Sequence, residues 1–264
     1  MSDNLGYCRI CGSYTELTDE HIPPKKAFNQ KPVQFGTLQD LLGVTGRPYS
    51  KFRKGVVVRT LCEPCNNTTG DWYARDFINW TNQAYDWLNR MSPVDQLALP
   101  YQIKPLNVIK QIITMTLALS FEANLPFNSE IREFIYNRER KYLPPQIRVY
   151  TYFNPGYKTR ISNYECVISK FDSSPFVGRS TYVHAEIAMP PLGYCIISTE
   201  ERTNLAELAG LYDMTYFTKF NYNRWVEMYI KLPLRETNSQ FPLDYRTKQE
   251  VADHNLKMKK RDQP

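Results

Sequence analysis

The feature that most restricts the fold of this chain is a duplicated Cys-x-x-Cys pattern. The two pairs are Cys8 with Cys11 and Cys62 with Cys65. Two residues between the cysteines allow one turn to direct both thiolates at a single tetrahedral zinc ion. Residues 12–61 separate the pairs, far more than the roughly 15–20 residues of a simple zinc ribbon, so we expect the metal to close a fold around an insertion. Four thiolates complete the coordination of zinc, which predicts a structural ion.

We expect the cysteines to bind metal rather than to form disulfide bonds. The chain has no run of about 18 apolar residues that could span a membrane, and its first residues lack the basic start and apolar core of a secretion signal. We therefore expect a cytoplasmic protein without membrane association, in which thiols stay reduced. Cys166 and Cys195 lie in predicted strands and are interpreted as small buried side chains. A thiol oxidoreductase is an alternative interpretation of the two pairs.

The first unit of the chain, residues 1–92, is predicted to contain strand, turn, strand, turn and helix. The β-branched residues Val56–Val58 predict a strand that delivers the second cysteine pair. Apolar residues at three- and four-residue steps predict an amphipathic helix over residues 71–90. The stretch 91–105 contains three prolines and no clear period, so we place the boundary between the units near residue 92.

The second unit, residues 93–264, is predicted to combine helices with an antiparallel sheet. An apolar helix is expected over residues 106–123 at its centre, and a charged helix over residues 129–142 ends before a proline pair. Aromatic and β-branched segments then predict strands at residues 146–153, 164–171, 181–188, 194–198, 212–219 and 225–232. The predicted class of the whole chain is therefore α+β.

The residues around the cysteines resemble the HNH endonuclease family. The strings that carry the resemblance are CRICG, LTDEHIPPK at residues 17–25 and LCEPCNN at residues 61–67. Together they match the zinc-bound form of the treble-clef, ββα-metal module, in which an acid-histidine pair follows one metal turn and an asparagine follows the other. The resemblance covers about residues 7–90.

The resemblance implies roles for three residues. His21 corresponds to the general base that removes a proton from the attacking water, and imidazole suits this role because it titrates near neutral pH. Glu20 and Asn66 correspond to ligands of a catalytic divalent ion, and their oxygen atoms suit Mg²⁺ or Mn²⁺. Simpler interpretations stay open: His21 as a zinc ligand or a packed turn histidine, Glu20 as a solvated acid and Asn66 as a helix-capping asparagine.

The expected function is therefore that of a metal-dependent endonuclease that hydrolyses phosphodiester bonds in DNA. The net charge of +6 is compatible with a nucleic-acid partner. The second unit would select the substrate or bind a protein partner, and family analogy suggests a prokaryotic defence or toxin effector. An alternative is a nucleic-acid- or protein-binding module without turnover. The best support for this alternative is that the family's middle asparagine is missing from Val56–Thr60; the nearest is Asn29, far upstream.

Overall fold

The structure, a computed structural model, describes the chain in seven segments and four isolated residues. The segments are residues 4–35, 50–90, 97–120, 128–156, 159–170, 179–198 and 210–235, and the isolated residues are 249, 252, 253 and 256. Helices and antiparallel sheets alternate along these segments, which confirms the predicted mixed α+β class. No helix in these segments is both long and apolar enough to cross a membrane.

The first sheet is a small antiparallel one built around the cysteines. Its strand order is β1-β2-β5, and the segment between β2 and β5 contributes a separate β3-β4 hairpin. The strands are β1 (Leu5–Tyr7), β2 (Tyr14–His21), β3 (Val33–Phe35), β4 (Ser50–Phe52) and β5 (Val57–Cys62). Because His21 pairs with Val57, the chain leaves this sheet at His21 and returns to it at Val57. Residues 22–56 are thus the expected insertion, and the pairing of β2 with β5 holds its two ends together.

The helix that follows β5 is longer than predicted. It begins as α1 (Glu63–Thr69), passes through a π-helical turn (Gly70–Ala74) and continues as α2 (Arg75–Arg90). The prediction of residues 71–90 missed the first turns, whose polar sequence EPCNNTT has no apolar stripe. The helix starts there because Cys62 provides an extended N-cap and a proline occupies the first turn. The apolar face of α2 is buried as predicted, with Trp80 fully enclosed.

Helix α3 (Pro105–Leu119) is the centre of the hydrophobic core. Every residue from Pro105 to Ala118 is buried, as expected for a helix that is apolar on all sides. It contacts the π-helical turn, α2, β5 and α4 (Asn128–Tyr136). Because β5 and α2 precede residue 92, one hydrophobic cluster includes residues on both sides of the predicted boundary. The division into two units stays a prediction.

A five-stranded antiparallel sheet covers the other side of α3, in the order β11-β7-β10-β9-β8. The remaining strands are β6 (Leu99–Ile103), β7 (Ile147–Phe153), β8 (Arg160–Lys170), β9 (Arg179–Met189), β10 (Leu192–Ser198), β11 (Tyr212–Asp213) and β12 (Val226–Ile230), of which β6 and β12 form a separate pair. The indole of Trp80 on α2 donates a hydrogen bond to the Tyr194 hydroxyl of β10 at 3.0 Å. Helix α2 and the five-stranded sheet are therefore joined by a buried hydrogen bond as well as by apolar packing.

Two predicted elements end earlier than their patterns indicated. The predicted strand over residues 212–219 is wrong beyond Asp213, because the Asp213 carboxylate accepts the Thr215 backbone N–H at 2.8 Å and turns the chain into a 3₁₀ helix (Thr215–Lys219). Helix α4 stops at Tyr136, before the prolines that were expected to end it.

Buried donors explain where α4 ends. The ammonium group of Lys110, on α3, donates to the carbonyls of Phe134 and Asn137, the latter at 2.8 Å. The Tyr73 hydroxyl donates to the Ile135 carbonyl at 2.7 Å. Side chains thus satisfy carbonyls that a further helical turn would otherwise use. Lys110 is fully buried, with its ammonium 4.2 Å from the centre of the Phe134 ring.

The burial of Lys110 predicts a pH-dependent stability. Burial lowers the pKa of Lys110 to about 7, below the ordinary lysine value, so the unfolded chain binds more protons between these two pKa values. Stability must therefore rise with pH in that window. Between about pH 7 and 9, the free energy of unfolding of the wild type should rise by about 2 kcal/mol more than that of Lys110→Met. Urea denaturation of both proteins measures this difference, and parallel curves would show that the carbonyls and rings keep Lys110 charged.

Candidate metal centre and adjoining polar site

The first cysteine pair lies in the turn between β1 and β2. The Cys8 N–H donates to the Ser13 carbonyl at 2.9 Å, and the Gly12 N–H donates to the Cys8 carbonyl at 2.8 Å. Gly12 adopts a φ of 76°, a conformation that a residue without a Cβ adopts at no steric cost. This tight turn folds Cys8 and Cys11 toward the same side of the sheet.

The second pair lies where β5 becomes α1. Cys62 is both the last residue of β5 and the N-cap of α1, and Cys65 is in the first turn of that helix. Leu17 pairs with Cys62, and the Arg9 N–H donates to the Thr60 carbonyl at 2.9 Å. These contacts bring this end of β5 to the first cysteine pair. The N-terminus of a helix favours thiolates there.

The four sulfur atoms form a compact cluster. All of them lie within 4.8 Å of one another, and the sulfur atoms of Cys11 and Cys62 are 3.8 Å apart. A tetrahedral zinc ion with bonds of about 2.3 Å separates its sulfur ligands by about 3.8 Å. The predicted residues Cys8, Cys11, Cys62 and Cys65 are therefore brought together, and the cluster can hold a metal ion such as zinc.

The electrostatics of the cluster fit a cation at its centre. Burial raises the pKa of both Cys62 and Cys65, and negative charge on Cys8 raises them further. Burial acts in the same direction on Cys11, but hydrogen bonds with Ser13 outweigh it and lower the pKa of Cys11 to about 6. Crowded thiolates repel one another, and a bound divalent ion would remove this obstacle to their ionisation.

A second group of polar residues adjoins the cluster at the end of β2. The pairing of β2 with β5 shifts register between Thr18 and Asp19, and such irregularities redirect the side chains that follow. Asn66, one residue after Cys65 on α1, donates to the Thr18 hydroxyl at 3.1 Å and to the Asp19 carbonyl at 3.2 Å. The amide nitrogen thus holds α1 against β2, so the amide oxygen is the atom of Asn66 that could bind a hard cation.

Glu20 lies beside Asn66 in a partly buried position. Burial raises the pKa of Glu20 to about 7, and a hydrogen bond with the Asn66 side chain opposes the increase. A carboxylate that loses solvation without gaining a cationic partner responds in this way. The predicted pair Glu20 and Asn66 is therefore adjacent in space, although 46 positions separate the two residues in the sequence (66 − 20).

His21 is the last residue of β2 and is partly buried. Its Nδ1 atom is enclosed without a hydrogen-bond partner among the residues that the structure describes. Nε2 is consequently the nitrogen that can reach a water molecule. The next residue, Ile22, is fully buried and its N–H donates to the Val56 carbonyl at 3.1 Å, which fixes the backbone that carries His21.

Asn29 holds the same turn in place through hydrogen bonds of its side-chain amide. Its amide nitrogen donates to the carbonyls of Pro23 at 2.8 Å and Val56 at 2.9 Å, and its oxygen accepts the Val56 N–H at 2.7 Å. The side chain is buried. A Cβ on Gly55 would lie 2.0 Å from the Asn29 oxygen, so this approach requires glycine. Asn29 thus joins the segment after His21 to the start of β5.

The sequence alone gives little indication of the role of Asn29. It lies far upstream of the second cysteine pair, whereas the family pattern places the orienting asparagine just before that pair. Nothing in the local sequence KAFNQ indicates burial of an amide. The glycine before the valine run, Gly55, is the one signal of a close backbone approach in this region.

The other charged groups near this site are engaged elsewhere or exposed. Arg59 pairs with Asp19 at 2.5 Å and donates to the Asn4 side chain at 2.8 Å. Within the described segments, the four cysteines are the one group of three or more His, Cys, Asp or Glu residues that could share an ion. Glu20 and His21 do not form a second group of this kind.

In comparisons of this chain with protein-family models, with curated proteins and with solved structures, nothing matches. Clusters of four cysteines occur in many folds. The assignment to the HNH family therefore stays a proposal that depends on the residues described above.

Removal of one cluster thiol should release the metal and unfold its surroundings. We expect the wild type to contain about one zinc ion per chain and Cys62→Ser to contain much less, with a lower melting temperature, because structural zinc contributes directly to folding. Elemental analysis and calorimetry measure both quantities. Cys195→Ala is the control, since Cys195 is a buried cysteine outside the cluster and its loss should leave the zinc content unchanged. A Cys62→Ser protein with full zinc content would contradict the assignment.

Loss of the buried Asn29 side chain should lower the stability of the protein strongly. Asn29→Ala leaves the Pro23 carbonyl and the Val56 N–H of a buried turn without these partners and removes one of the two hydrogen bonds to the Val56 carbonyl. We expect a loss of about 3 kcal/mol in the free energy of unfolding. The neighbouring Gln30 is exposed, so Gln30→Ala should change stability by less than about 0.5 kcal/mol. Chemical denaturation compares the two variants. Equal stabilities would show that Asn29 does not hold the turn.

Proposed function

We propose that this protein is a metal-dependent endonuclease of the HNH type that hydrolyses phosphodiester bonds in DNA. In this proposal Cys8, Cys11, Cys62 and Cys65 hold a structural zinc ion. The first sheet and α1 then form the ββα part of a treble-clef module, and the chemistry takes place beside the zinc centre rather than at it, because four thiolates leave zinc no open position.

The observation that carries the proposal is the position of Asn66 against the end of β2. Its amide nitrogen contacts Thr18 and Asp19, and a hydrogen bond joins its side chain to the Glu20 carboxylate, so Asn66 and Glu20 are neighbours at this strand end. His21 follows directly in the chain. Two oxygen ligands and an imidazole at one strand end are the groups that metal-assisted hydrolysis of a phosphodiester requires.

Each residue has a distinct role in the proposed reaction. Glu20 and Asn66 would hold a divalent ion of the Mg²⁺ or Mn²⁺ type through their oxygen atoms. Such an ion supplies positive charge that stabilises the phosphate and the leaving oxygen. His21 accepts the proton of the attacking water at Nε2. Asn29 keeps the turn after His21 in place and acts as a positioning residue.

A second candidate function is a binding module that uses the zinc-closed scaffold without turnover. The observation that favours it is the small number of ligands beside His21: Glu20 and Asn66 supply two, and in the described segments Glu20 belongs to no group of three or more His, Cys, Asp or Glu side chains. The two functions differ in whether a second metal ion binds at this strand end.

Cleavage of supercoiled plasmid distinguishes the two candidates. Wild-type protein with added Mg²⁺ or Mn²⁺ should nick the plasmid, and His21→Ala should be slower by about 100- to 10,000-fold, the usual contribution of a general base. Gel electrophoresis over time measures the rates. Wild-type protein that contains zinc but does not cut under any of these conditions would favour the binding module.

Neighbouring residues provide matched controls for the two proposed ligands. Glu20→Gln and Asn66→Ala should lose cleavage. Asp19→Asn and Asn67→Ala should retain it, because Asp19 is exposed and paired with Arg59 and the side chain of Asn67 is exposed. Equal loss in ligand and control variants would show general damage to the fold instead of a specific metal site.

A further inference from the structure

An exposed surface outside the candidate active site combines aromatic rings with arginines. Trp72 lies in the π-helical turn, Tyr136 ends α4, and Tyr222 lies in the turn before β12. The ring centres of Trp72 and Tyr136 are 6.4 Å apart. The guanidinium of Arg138 lies 5.8 Å from the centre of the Trp72 ring and 5.4 Å from that of Tyr222. We call these four residues the aromatic-arginine surface.

Two residues of this surface, Tyr136 and Arg138, are exposed to solvent, and Arg138 can bind an incoming anion. Tyr136 is 54% exposed, and the Arg138 side chain is 53% exposed. The nearest acid is Glu139, whose carboxylate lies 3.9 Å from Arg138. Both of these side chains are exposed, so their ion pair contributes little. An incoming anion could therefore replace Glu139 as the partner of Arg138.

Side-chain hydrogen bonds hold the turn that carries Tyr222. The N–H of the next residue, Asn223, donates to the Asn107 side chain at 3.0 Å, and the Lys104 ammonium donates to the Asn223 side chain at 2.5 Å. Asn107 itself donates to the buried Asp76 carboxylate at 2.7 Å. The turn is thus fixed before any ligand arrives, which reduces the ordering cost of binding.

A cavity of about 380 Å³ continues the surface from Tyr136 toward the first cysteine pair. It is lined by Ile10, Cys11, Arg132, Glu133, Tyr136 and Asn137. The Nε atom of Arg132 is enclosed and has no hydrogen-bond partner among the described residues. Glu133, by contrast, pairs with Arg140. The cavity therefore offers a second guanidinium close to Tyr136.

We propose that the aromatic-arginine surface and the adjoining cavity bind single-stranded nucleic acid. Exposed rings stack on bases that are not already paired, and arginines beside them bind the phosphates that connect those bases. A base would stack on the exposed ring of Tyr136, and phosphates would contact Arg132 and Arg138. A duplex keeps its bases stacked internally, so these rings favour a single strand. The surface requires no cleavage chemistry, and its occupancy is independent of the proposed nuclease function.

Fluorescence anisotropy with a labelled oligonucleotide of about 15 thymidines tests this surface in the full-length, zinc-containing chain without added magnesium. Tyr136→Ala and Arg138→Gln should each weaken binding by about tenfold. The slope of log affinity against log salt should fall by about 0.7 for Arg138→Gln, for one lost phosphate contact. The control is Tyr229→Ala, since Tyr229 is 68% exposed on β12, and it should bind like the wild type.

Three results would overturn the proposal. These are the absence of binding by the wild type, equal binding by Tyr136→Ala and Tyr229→Ala, and a duplex of the same length that binds as tightly as the single strand. Binding that is retained by His21→Ala, together with cleavage that is absent in all proteins, would support this surface while contradicting the nuclease. The two proposals can therefore fail separately.

Discussion

Strand β2 is fixed to β5 at both of its ends, and the candidate site depends on this pairing. At one end, Cys62 leaves β5 opposite Leu17 and completes the cluster of four thiols. At the other end, Asn29 bridges the chain after His21 to Val56 at the start of β5. Glu20 and His21 lie between these two closures.

This arrangement explains how a long insertion is tolerated. The cost of closing a flexible loop grows slowly with its length, so the segment between β2 and β5 can be large if its base is held firmly. A metal ion at the thiols would provide strong closure on one side, and buried hydrogen bonds provide it on the other. The strand end between them is then rigid enough to present oxygen and nitrogen ligands in a defined geometry.

The sequence predicts the parts of this structure that depend on local patterns. The cysteine spacing predicted the cluster, and the apolar period predicted that α3 and the inner face of α2 would be buried. Asn66 was predicted from a family motif, and it contacts β2 through Thr18 and Asp19. These signals are readable because each one lies within a few consecutive residues.

Features that depend on distant contacts were missed. The role of Asn29 requires Val56 and Gly55 to lie beside it, and no local pattern encodes that contact. The end of α4 depends on Lys110 and Tyr73, which belong to other helices. The predicted strand beyond Asp213 failed because a single carboxylate competes with the sheet for backbone hydrogen bonds. In each case a buried or capping hydrogen bond outweighs the secondary-structure preference of the local sequence.

The four cysteines form a thiolate site that can hold a metal ion, and we propose a second metal site of different chemistry, with oxygen ligands at the end of β2. The most direct measurement is a titration of the zinc-containing protein with Mn²⁺, followed by electron paramagnetic resonance of the free ion. The account predicts that the wild type binds about one Mn²⁺ per chain while keeping its zinc, and that Glu20→Gln keeps the zinc but loses the Mn²⁺. A wild type that binds no Mn²⁺, or a Glu20→Gln protein that binds it equally well, would contradict the account.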